Sequence, residues 1–145
     1  MAIKMPFGLK IAIINRAFRK KMDEKAAAMG LTSVQLRVLG SVSRLEEKGV
    51  EIHQNDLERI EHVTHPAMTK IIQKLQAKGF LNCVPATTDK RCKIITSTEK
   101  SSGIHNLILE QDDEVLSQLC KNFTDGQKEE LLRLTGLILE NIDSE

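Results

Sequence analysis

The sequence is poor in aromatic side chains: it has no tryptophan, no tyrosine and four phenylalanines in 145 residues. Proteins that bind single-stranded nucleic acids without sequence preference stack the bases on aromatic rings, and RNA-recognition sheets use two or three rings in the same way. Because aromatic residues make up only 3% of this chain, neither kind of stacking platform is expected.

Long apolar stretches are absent as well. Apolar residues occur in short runs such as Ile11–Ile14, far below the roughly 20 residues that a transmembrane helix requires. Lys4 and Lys10 interrupt the apolar N-terminal stretch and no small-residue cleavage site follows it, so a secretory signal peptide is not expected. The three cysteines have no Cys-x-x-Cys spacing, which is typical of a reducing compartment. The sequence therefore predicts a cytoplasmic protein without a membrane partner.

Motifs of enzymes and metal sites are also missing. The chain has no Gly-rich phosphate loop, no nucleophile elbow and no His-Glu-x-x-His motif. His62 and His65 lie three residues apart without the partners of a four-ligand zinc site, so we interpret them as helix-cap and backbone contacts. Asp112, Asp113 and Glu114 are adjacent, and adjacent side chains point in different directions around a helix. The sequence predicts no catalytic residue, no metal and no cofactor.

The charge is distributed unevenly along the chain, although the net charge is only +1. Residues 64–100 contain seven basic and two acidic side chains, whereas residues 101–145 contain three basic and ten acidic ones. A segregated basic block is expected of a surface that binds a polyanion. The alternative is a solvated face whose lysines keep the protein in solution, and the charge pattern alone leaves both interpretations open.

Hydrophobic periodicity and capping signals predict six helices. Thr32 with Gln35, and Thr124 with Gln127, have the spacing of capping boxes. The predicted helical segments are, in order, Pro6 to Gly30, Thr32 to Gly49, His53 or Gln54 to Ile60, Thr64 to Gly79, Glu99 to Leu119 or Cys120, and a last helix after Thr124.

The fourth predicted helix has the clearest division into an apolar and a polar face. Thr64 is a good N-cap, and Pro66 suits the first turn, where its missing N–H costs nothing. The polar face contains lysines and no acid, so we expect it to be solvent-exposed and positively charged. The apolar stripe consists of Met68, Ile71, Ile72 and Leu75, and the opposite face of Pro66, Thr69, Lys70, Gln73 and Ala77, with Lys74 at its border.

A β-hairpin is predicted after this helix. Two short β-runs, Phe80–Val84 and Arg91–Thr98, flank a loop rich in proline, threonine and aspartate. With the hairpin centred on Thr87–Thr88, Cys83 would lie directly opposite Cys92. We therefore consider this pair as redox candidates. The alternative, which we favour, is that both are small residues without a redox role.

The order of these elements is that of a winged helix-turn-helix domain, and the predicted fold class is mainly α with a small β wing. In this architecture one helix enters the DNA major groove and the hairpin reaches the flanking backbone or minor groove. Arg91 suits the minor groove, where the negative potential favours a guanidinium, although it could instead pair with Asp89. The residues expected to contact DNA are Thr64, His65, Pro66, Thr69, Lys70, Gln73 and Lys74 on the helix and Asp89, Lys90 and Arg91 on the wing.

Five short motifs occur in order between Leu31 and Ser101. They are Leu31–Gln35, His53–Leu57, Val63–Lys70, Leu75–Leu81 and Asp89–Arg91. Together, at these spacings, they resemble the MarR family of bacterial and archaeal transcriptional regulators, whose wing carries an Asp-x-Arg signature.

The resemblance implies a single domain over residues 1–145, with a winged helix-turn-helix core at 31–100 and dimerisation helices at 1–30 and 101–145. It implies a homodimer that binds palindromic double-stranded DNA as a repressor, often released by a small aromatic or phenolic ligand or by oxidation. Cys83, Ser97 and Ser101 stand where the family usually has Arg, Leu and Gly, and His53 replaces a Ser or Thr cap. One phosphate contact of the wing is therefore not expected.

An effector site and an alternative function complete these expectations. The crevice between the dimerisation helices and the DNA-reading helices is expected to contain Ile13, Arg16 and Ala17, with Arg16 pairing with the carboxylate of an anionic aromatic ligand. The alternative function is a winged-helix module for protein–protein contact that does not bind DNA. The basic block at 64–100 favours DNA, because a protein-binding module has no need of it.

Overall fold

The computed structural model describes residues 3–85 and 93–143. Most of these residues are helical, and the strands among them form one antiparallel hairpin. The predicted fold class, helical with a small β wing, is confirmed. In chain order the elements are α1 (Phe7–Ala27), α2 (Ser33–Glu47), α3 (Gln54–Glu61), α4 (His65–Ala77), β1 (Leu81–Pro85), β2 (Lys93–Ser97), a 3-10 turn (Glu99–Ser101), α5 (Ile104–Leu119) and α6 (Asp125–Asp143).

The hydrophobic core lies where α2, α3 and α4 pack together against the hairpin. Leu36 of α2, Leu57 of α3 and Met68 and Leu75 of α4 are at most 1% exposed, and Ile72 is also buried. Complete burial of one such side chain stabilises the fold by about 1.5–3 kcal/mol. The apolar stripe predicted for α4 is therefore the face that meets the core, which leaves the opposite face in solvent.

Capping residues fix where two of the helices begin. In α2 the backbone N–H of Gln35 donates to Thr32 Oγ1, and the N–H of Thr32 donates to Gln35 Oε1, both at 3.1 Å. The same reciprocal pair joins Thr124 and Gln127 at the start of α6, at 2.9 and 3.1 Å. Both predicted capping boxes are confirmed, and each satisfies two backbone donors that a helix start leaves unpaired.

The register of the hairpin differs from the prediction. Cys83 pairs with Ile95, and Leu81 pairs with Ser97, so the expectation that Cys83 faces Cys92 is wrong. A shift by an odd number of residues moves every side chain of a strand to the other face of the sheet. The observed register buries Ile95 and lets its N–H donate to the carbonyl of Ile52 at 2.9 Å, and this tertiary contact decides the pairing. Cys92 lies outside the described residues.

The helix predicted to begin at Glu99 is interrupted before α5. The 3-10 turn ends at Ser101, whose buried hydroxyl oxygen lies 3.0 Å from Phe80 O and 2.9 Å from Thr98 O, so that its one hydrogen has two carbonyl acceptors within reach. Gly103 then has a φ of +76°, a left-handed conformation that costs other residues about 1–2 kcal/mol. Thr98 therefore precedes a short turn, and α5 begins after Gly103.

The outer helices expose much apolar surface in the single chain. On α1, Phe7 is 68% exposed, and Ile11 and Ile14 are also exposed; on α6, Leu139 and Ile142 are each 60% exposed. Within residues 3–85 and 93–143, no helix combines the length and the apolar character needed to cross a membrane. These faces are unpartnered in the isolated chain.

The interruption before α5 generates a stability prediction. Gly103→Ala should lower the free energy of unfolding by about 1–2 kcal/mol, because the new Cβ opposes the left-handed backbone. Ser102→Ala is the matched control, since the exposed Ser102 has an ordinary φ of −59°, and its effect should stay within about 0.5 kcal/mol. Urea unfolding at a fixed chain concentration measures both. Equal effects of the two substitutions would contradict the prediction.

Candidate nucleic-acid interface

The solvent-facing side of α4 brings together the helix residues predicted to bind a polyanion. Since Met68, Ile72 and Leu75 are buried, the periodicity of the helix turns the intervening residues outward. Thr64 caps the helix, with Oγ1 accepting from the N–H of Ala67 at 3.4 Å. The predicted residues Thr64, His65, Pro66, Lys70, Gln73 and Lys74 are exposed and Thr69 is half-buried.

The lysines near α4 fall into two groups. Among the residues that the structure describes, the exposed Lys70 and Lys74 have no hydrogen-bond or salt-bridge partner. Lys78 instead donates to Gly30 O at 2.6 Å, and Lys100 donates to Lys78 O at 2.6 Å. Two lysines of the basic block thus hold the fold together, and Lys70 and Lys74 remain available to an anionic partner.

The carboxylates of α3 are occupied by partners within the chain. Asp56 accepts from Arg59 at 2.8 Å, and Glu58 Oε2 lies 2.8 Å from Nδ1 of His65. Glu61, whose side chain is only 11% exposed, accepts from Arg37 Nε at 3.2 Å. Arg59 and Arg37 offset the charges of Asp56 and Glu61, and Glu58 is engaged with His65, so the unpaired charges that the described residues place at the exposed face of α4 are those of its lysines.

Thr69 is less available than the sequence suggested. Its hydroxyl donates to the carbonyl of His65 at 3.0 Å and accepts from Gln54 Nε2 at 2.8 Å. Because a hydroxyl has one hydrogen, Thr69 has no donor left for a base or phosphate. Its methyl group and one oxygen lone pair are what it offers to a ligand.

The base of the wing is fixed to the core by α2. Glu46 accepts hydrogen bonds from the N–H and the hydroxyl of Ser97, both at 2.6 Å. Together with the hydrogen bond from Ile95 N to Ile52 O, this contact sets the direction in which β1 and β2 leave the core. Asp89, Lys90 and Arg91, the predicted wing contacts, lie outside the described residues.

A groove of about 750 Å³ runs between α3, α4 and the wing. His65, Gln73, Cys83 and Lys93 contribute to its lining. Burial raises the pKa of the Cys83 thiol, and the charge of Lys93 lowers that pKa by a smaller amount. The thiolate is the reactive form of cysteine, so the environment of Cys83 disfavours the redox role that the sequence left open.

A second cavity, of about 540 Å³, lies between α1, α2 and α5. Ile13, Arg16 and Ala17, the predicted effector contacts, are not among its lining residues. The residues one turn further, on the side that faces α2, line it instead. Its lining includes Asn15, Phe18, Arg19, Met22, Leu36, Arg37, Arg44 and Asp112.

Sequence reasoning also missed the polar contacts between α3 and α4. Gln54 and Glu58 lie one turn apart on α3, and His65 and Thr69 lie one turn apart on α4. Polar pairs with four-residue spacing on consecutive helices are a signal of such a contact. The signal was present in the sequence, but only the packing shows that the two pairs meet.

A comparison with family models matches residues 29–91 to the MarR family. The matched segment runs from the end of α1 through α2, α3, α4 and β1 into the wing, and so includes the exposed face of α4.

Solved structures share this fold over nearly the whole chain. The reduced form of MarR from E. coli has a TM-score of 0.83 and 22% identity, covering 95% of this chain and 99% of that one. The S. aureus MepR–DNA complex has a TM-score of 0.77 and 19% identity, with the same coverages. A cysteine-to-serine variant of E. coli MarR complexed with operator DNA has a TM-score of 0.74 and 23% identity, covering 93% and 94%. At these identities the likeness shows the fold.

Proposed function

Because a model of the MarR family matches residues 29–91 and solved MarR structures share the fold, we propose that this chain is a winged helix-turn-helix regulator of the MarR family that binds double-stranded DNA with sequence specificity. The observation that carries the proposal is the exposed face of α4, which has no acid and presents Lys70 and Lys74 without partners in the described part of the chain. An α-helix fits the major groove, and α4 is the helix that the core holds with its polar face outward.

Structures with related folds support this proposal. The S. aureus MepR protein and the E. coli MarR variant were each solved in complex with DNA. In a winged helix-turn-helix, the helix corresponding to α4 reads base edges and the wing contacts the backbone or minor groove. We assign these two roles to the α4 face and to Asp89, Lys90 and Arg91.

We propose that the functional unit is a homodimer joined through α1 and α6. The apolar side chains exposed on these helices, such as Phe7 and Leu139, exceed what a monomer normally leaves in water. A two-fold interface buries them and places two α4 helices in symmetric positions. Such a dimer binds a palindromic site whose half-sites lie about 10 bp apart, centre to centre, or a multiple of that distance.

We propose repression with release by a small anionic aromatic ligand as the mode of regulation. The cavity between α1, α2 and α5 combines apolar walls, such as Phe18 and Leu36, with Arg19, Arg37 and Arg44. Apolar walls with a few charged groups suit an aromatic carboxylate or a phenol. The cavity touches α2, which also holds the wing through Glu46, so occupancy can change the placement of the DNA-reading elements.

The second candidate function is a winged helix that binds another protein and not DNA. The salt dependence of binding to duplex DNA distinguishes the two functions. Binding to DNA releases counterions from the phosphates, so affinity falls steeply as salt rises. A protein-contact module that lacks DNA affinity shows no such response with duplex DNA.

The DNA-contacting residues generate a prediction. Lys70→Ala should weaken binding to the DNA upstream of the protein's own gene by about 1–3 kcal/mol and relax preference at one position of each half-site. Arg91→Ala should weaken specific and non-specific binding together and reduce the salt slope by about 0.9 per subunit. Lys121→Ala, at an exposed lysine after α5, is the control with the same charge change.

Gel-shift titrations at several salt concentrations measure these effects. Wild-type affinity and wild-type salt slope for both Lys70→Ala and Arg91→Ala would show that the DNA-contacting surface lies elsewhere.

The dimer generates a second prediction. Sedimentation should give a mass of two chains at micromolar concentration. Leu137→Glu, at a side chain exposed on α6, should shift the equilibrium toward one chain, because a carboxylate in an apolar interface must lose its hydration. Circular dichroism checks that the variant stays helical. A wild-type mass of one chain would overturn the dimer.

The cavity generates a third prediction. Phenolic acids that bind should raise the melting temperature of the wild type by a few degrees at a tenfold excess over Kd and weaken its binding to DNA. Arg19→Gln should abolish both effects, since Arg19 lines the cavity. Arg16→Gln should retain them and is the matched control. Loss of the effects in Arg16→Gln alone would show instead that Arg16 pairs with the ligand.

A further inference from the structure

Two side chains of α3 hold the first turn of α4. Glu58 Oε2 lies 2.8 Å from His65 Nδ1. Gln54 Nε2 lies 2.8 Å from Thr69 Oγ1 and 3.3 Å from the carbonyl of His65. Glu58 is largely buried, with 17% of its side chain exposed, whereas the His65 side chain is 72% exposed. A half-buried carboxylate thus lies beside an imidazole that is itself mostly exposed.

The hydrogen-bond inventory of this cluster fixes the state of His65. An ionised carboxylate only accepts, so Nδ1 must carry the hydrogen that Glu58 receives. The distance of 3.0 Å between Gln54 Nε2 and His65 Nδ1 is then a contact between two donors and not a hydrogen bond. The two amide hydrogens of Gln54 have acceptors in Thr69 Oγ1 and His65 O, so every donor in the cluster is satisfied.

This arrangement determines what His65 can offer to DNA. With Nδ1–H on Glu58, a neutral imidazole has only a lone pair at Nε2, and a phosphate oxygen also only accepts. A hydrogen bond to phosphate therefore requires a proton on Nε2, which makes His65 an imidazolium with a full positive charge. Glu58 is the carboxylate that lies within hydrogen-bond distance of this imidazole.

The other charged and titratable groups near His65 do not take the place of Glu58. The remaining titratable groups that line the groove are His53, Asp56, Cys83 and Lys93. Asp56 is engaged with Arg59, and His53 Nε2 lies 3.9 Å from Glu51. On α4 itself, Lys70 and Lys74 are exposed and add positive charge to the same face. Glu58 is therefore the group that holds His65 and offsets its charge.

We propose that Glu58 is a positioning residue that holds His65 with Nε2 available, so that the protonated His65 donates a hydrogen bond to a DNA phosphate and each subunit takes up one proton on binding. This inference rests on the proposed DNA binding. It assigns to α3 a direct influence on the DNA-reading face of α4. It also makes affinity for DNA depend on pH in the range where imidazoles titrate.

The test is the affinity of the full chain for DNA as a function of pH. The probe is a random-sequence duplex of about 30 base pairs, which is long enough for a dimer on two half-sites. A phosphate contact does not require a specific sequence, so an operator is not needed. Fluorescence anisotropy at constant ionic strength gives Kd between pH 5.5 and pH 8.5, within roughly the range in which histidine changes its charge.

For the wild type we expect binding at least about tenfold tighter at pH 6 than at pH 8, since each decade of proton concentration can change affinity up to tenfold per site. The salt slope should be larger at pH 6 by about 0.9 per subunit. His65→Gln should bind with little dependence on pH. Glu58→Gln removes the carboxylate beside Nδ1, so its affinity for DNA should depend less on pH than that of the wild type.

His53→Gln is the matched control, because His53 lines the same groove and should leave the pH profile unchanged. Circular dichroism and thermal melting check that every variant is folded. A purely structural role for Glu58 would instead weaken binding by the same factor at all pH values, and that result would overturn the proposal.

The outcomes separate this proposal from the function on which it rests. A wild type without salt-dependent binding to duplex DNA contradicts the proposed function. A wild type that binds DNA, but with the same pH profile as His65→Gln, overturns the role of His65 alone. Affinity that falls with decreasing pH also overturns it, because Nε2 would then be accepting a hydrogen bond, as from an amino group of a base.

Discussion

The packing of α4 into the core is the constraint on which the rest of the structure depends. Met68, Ile72 and Leu75 must be buried together, and a helix has 3.6 residues per turn. Once these three positions face inward, the orientation of every other side chain on α4 follows. The exposed polar face of α4 is therefore a consequence of the core, and a substitution that rotates α4 to bury a different set of residues changes which groups a ligand meets.

Local pairing explains how a chain with a net charge of +1 presents a positive face. Two acids of α3, Asp56 and Glu61, are matched by Arg59 and Arg37 at distances of 2.8 and 3.2 Å. Coulomb attraction at these separations cancels most of the field of each carboxylate, whereas Lys70 and Lys74 are not cancelled by any partner among the described residues. The distribution of partners, more than the count of charges, decides what the surface attracts.

The sequence predicted features that depend on neighbours in the chain and missed those that depend on tertiary contacts. The capping boxes at Thr32 and Thr124 and the buried stripe of α4 follow from local spacing, and all are observed. The register of the hairpin was wrong because a hydrogen bond to Ile52, distant in sequence, selects it. The cavity between α1, α2 and α5 is lined by Arg19 and not by Arg16. Periodicity predicts a stripe of residues on a helix, but it does not tell which neighbouring helix covers each side of that stripe.

Lys78 joins three parts of the fold at the far end of α4. Its ammonium donates to the carbonyl of Gly30 at 2.6 Å and to Gln35 Oε1 at 3.1 Å, and Lys100 donates to the carbonyl of Lys78 itself. The turn between α1 and α2 is thus attached to one end of α4, while α3 holds the other end of α4. Lys78 therefore couples the turn that follows α1 to the C-terminal end of α4.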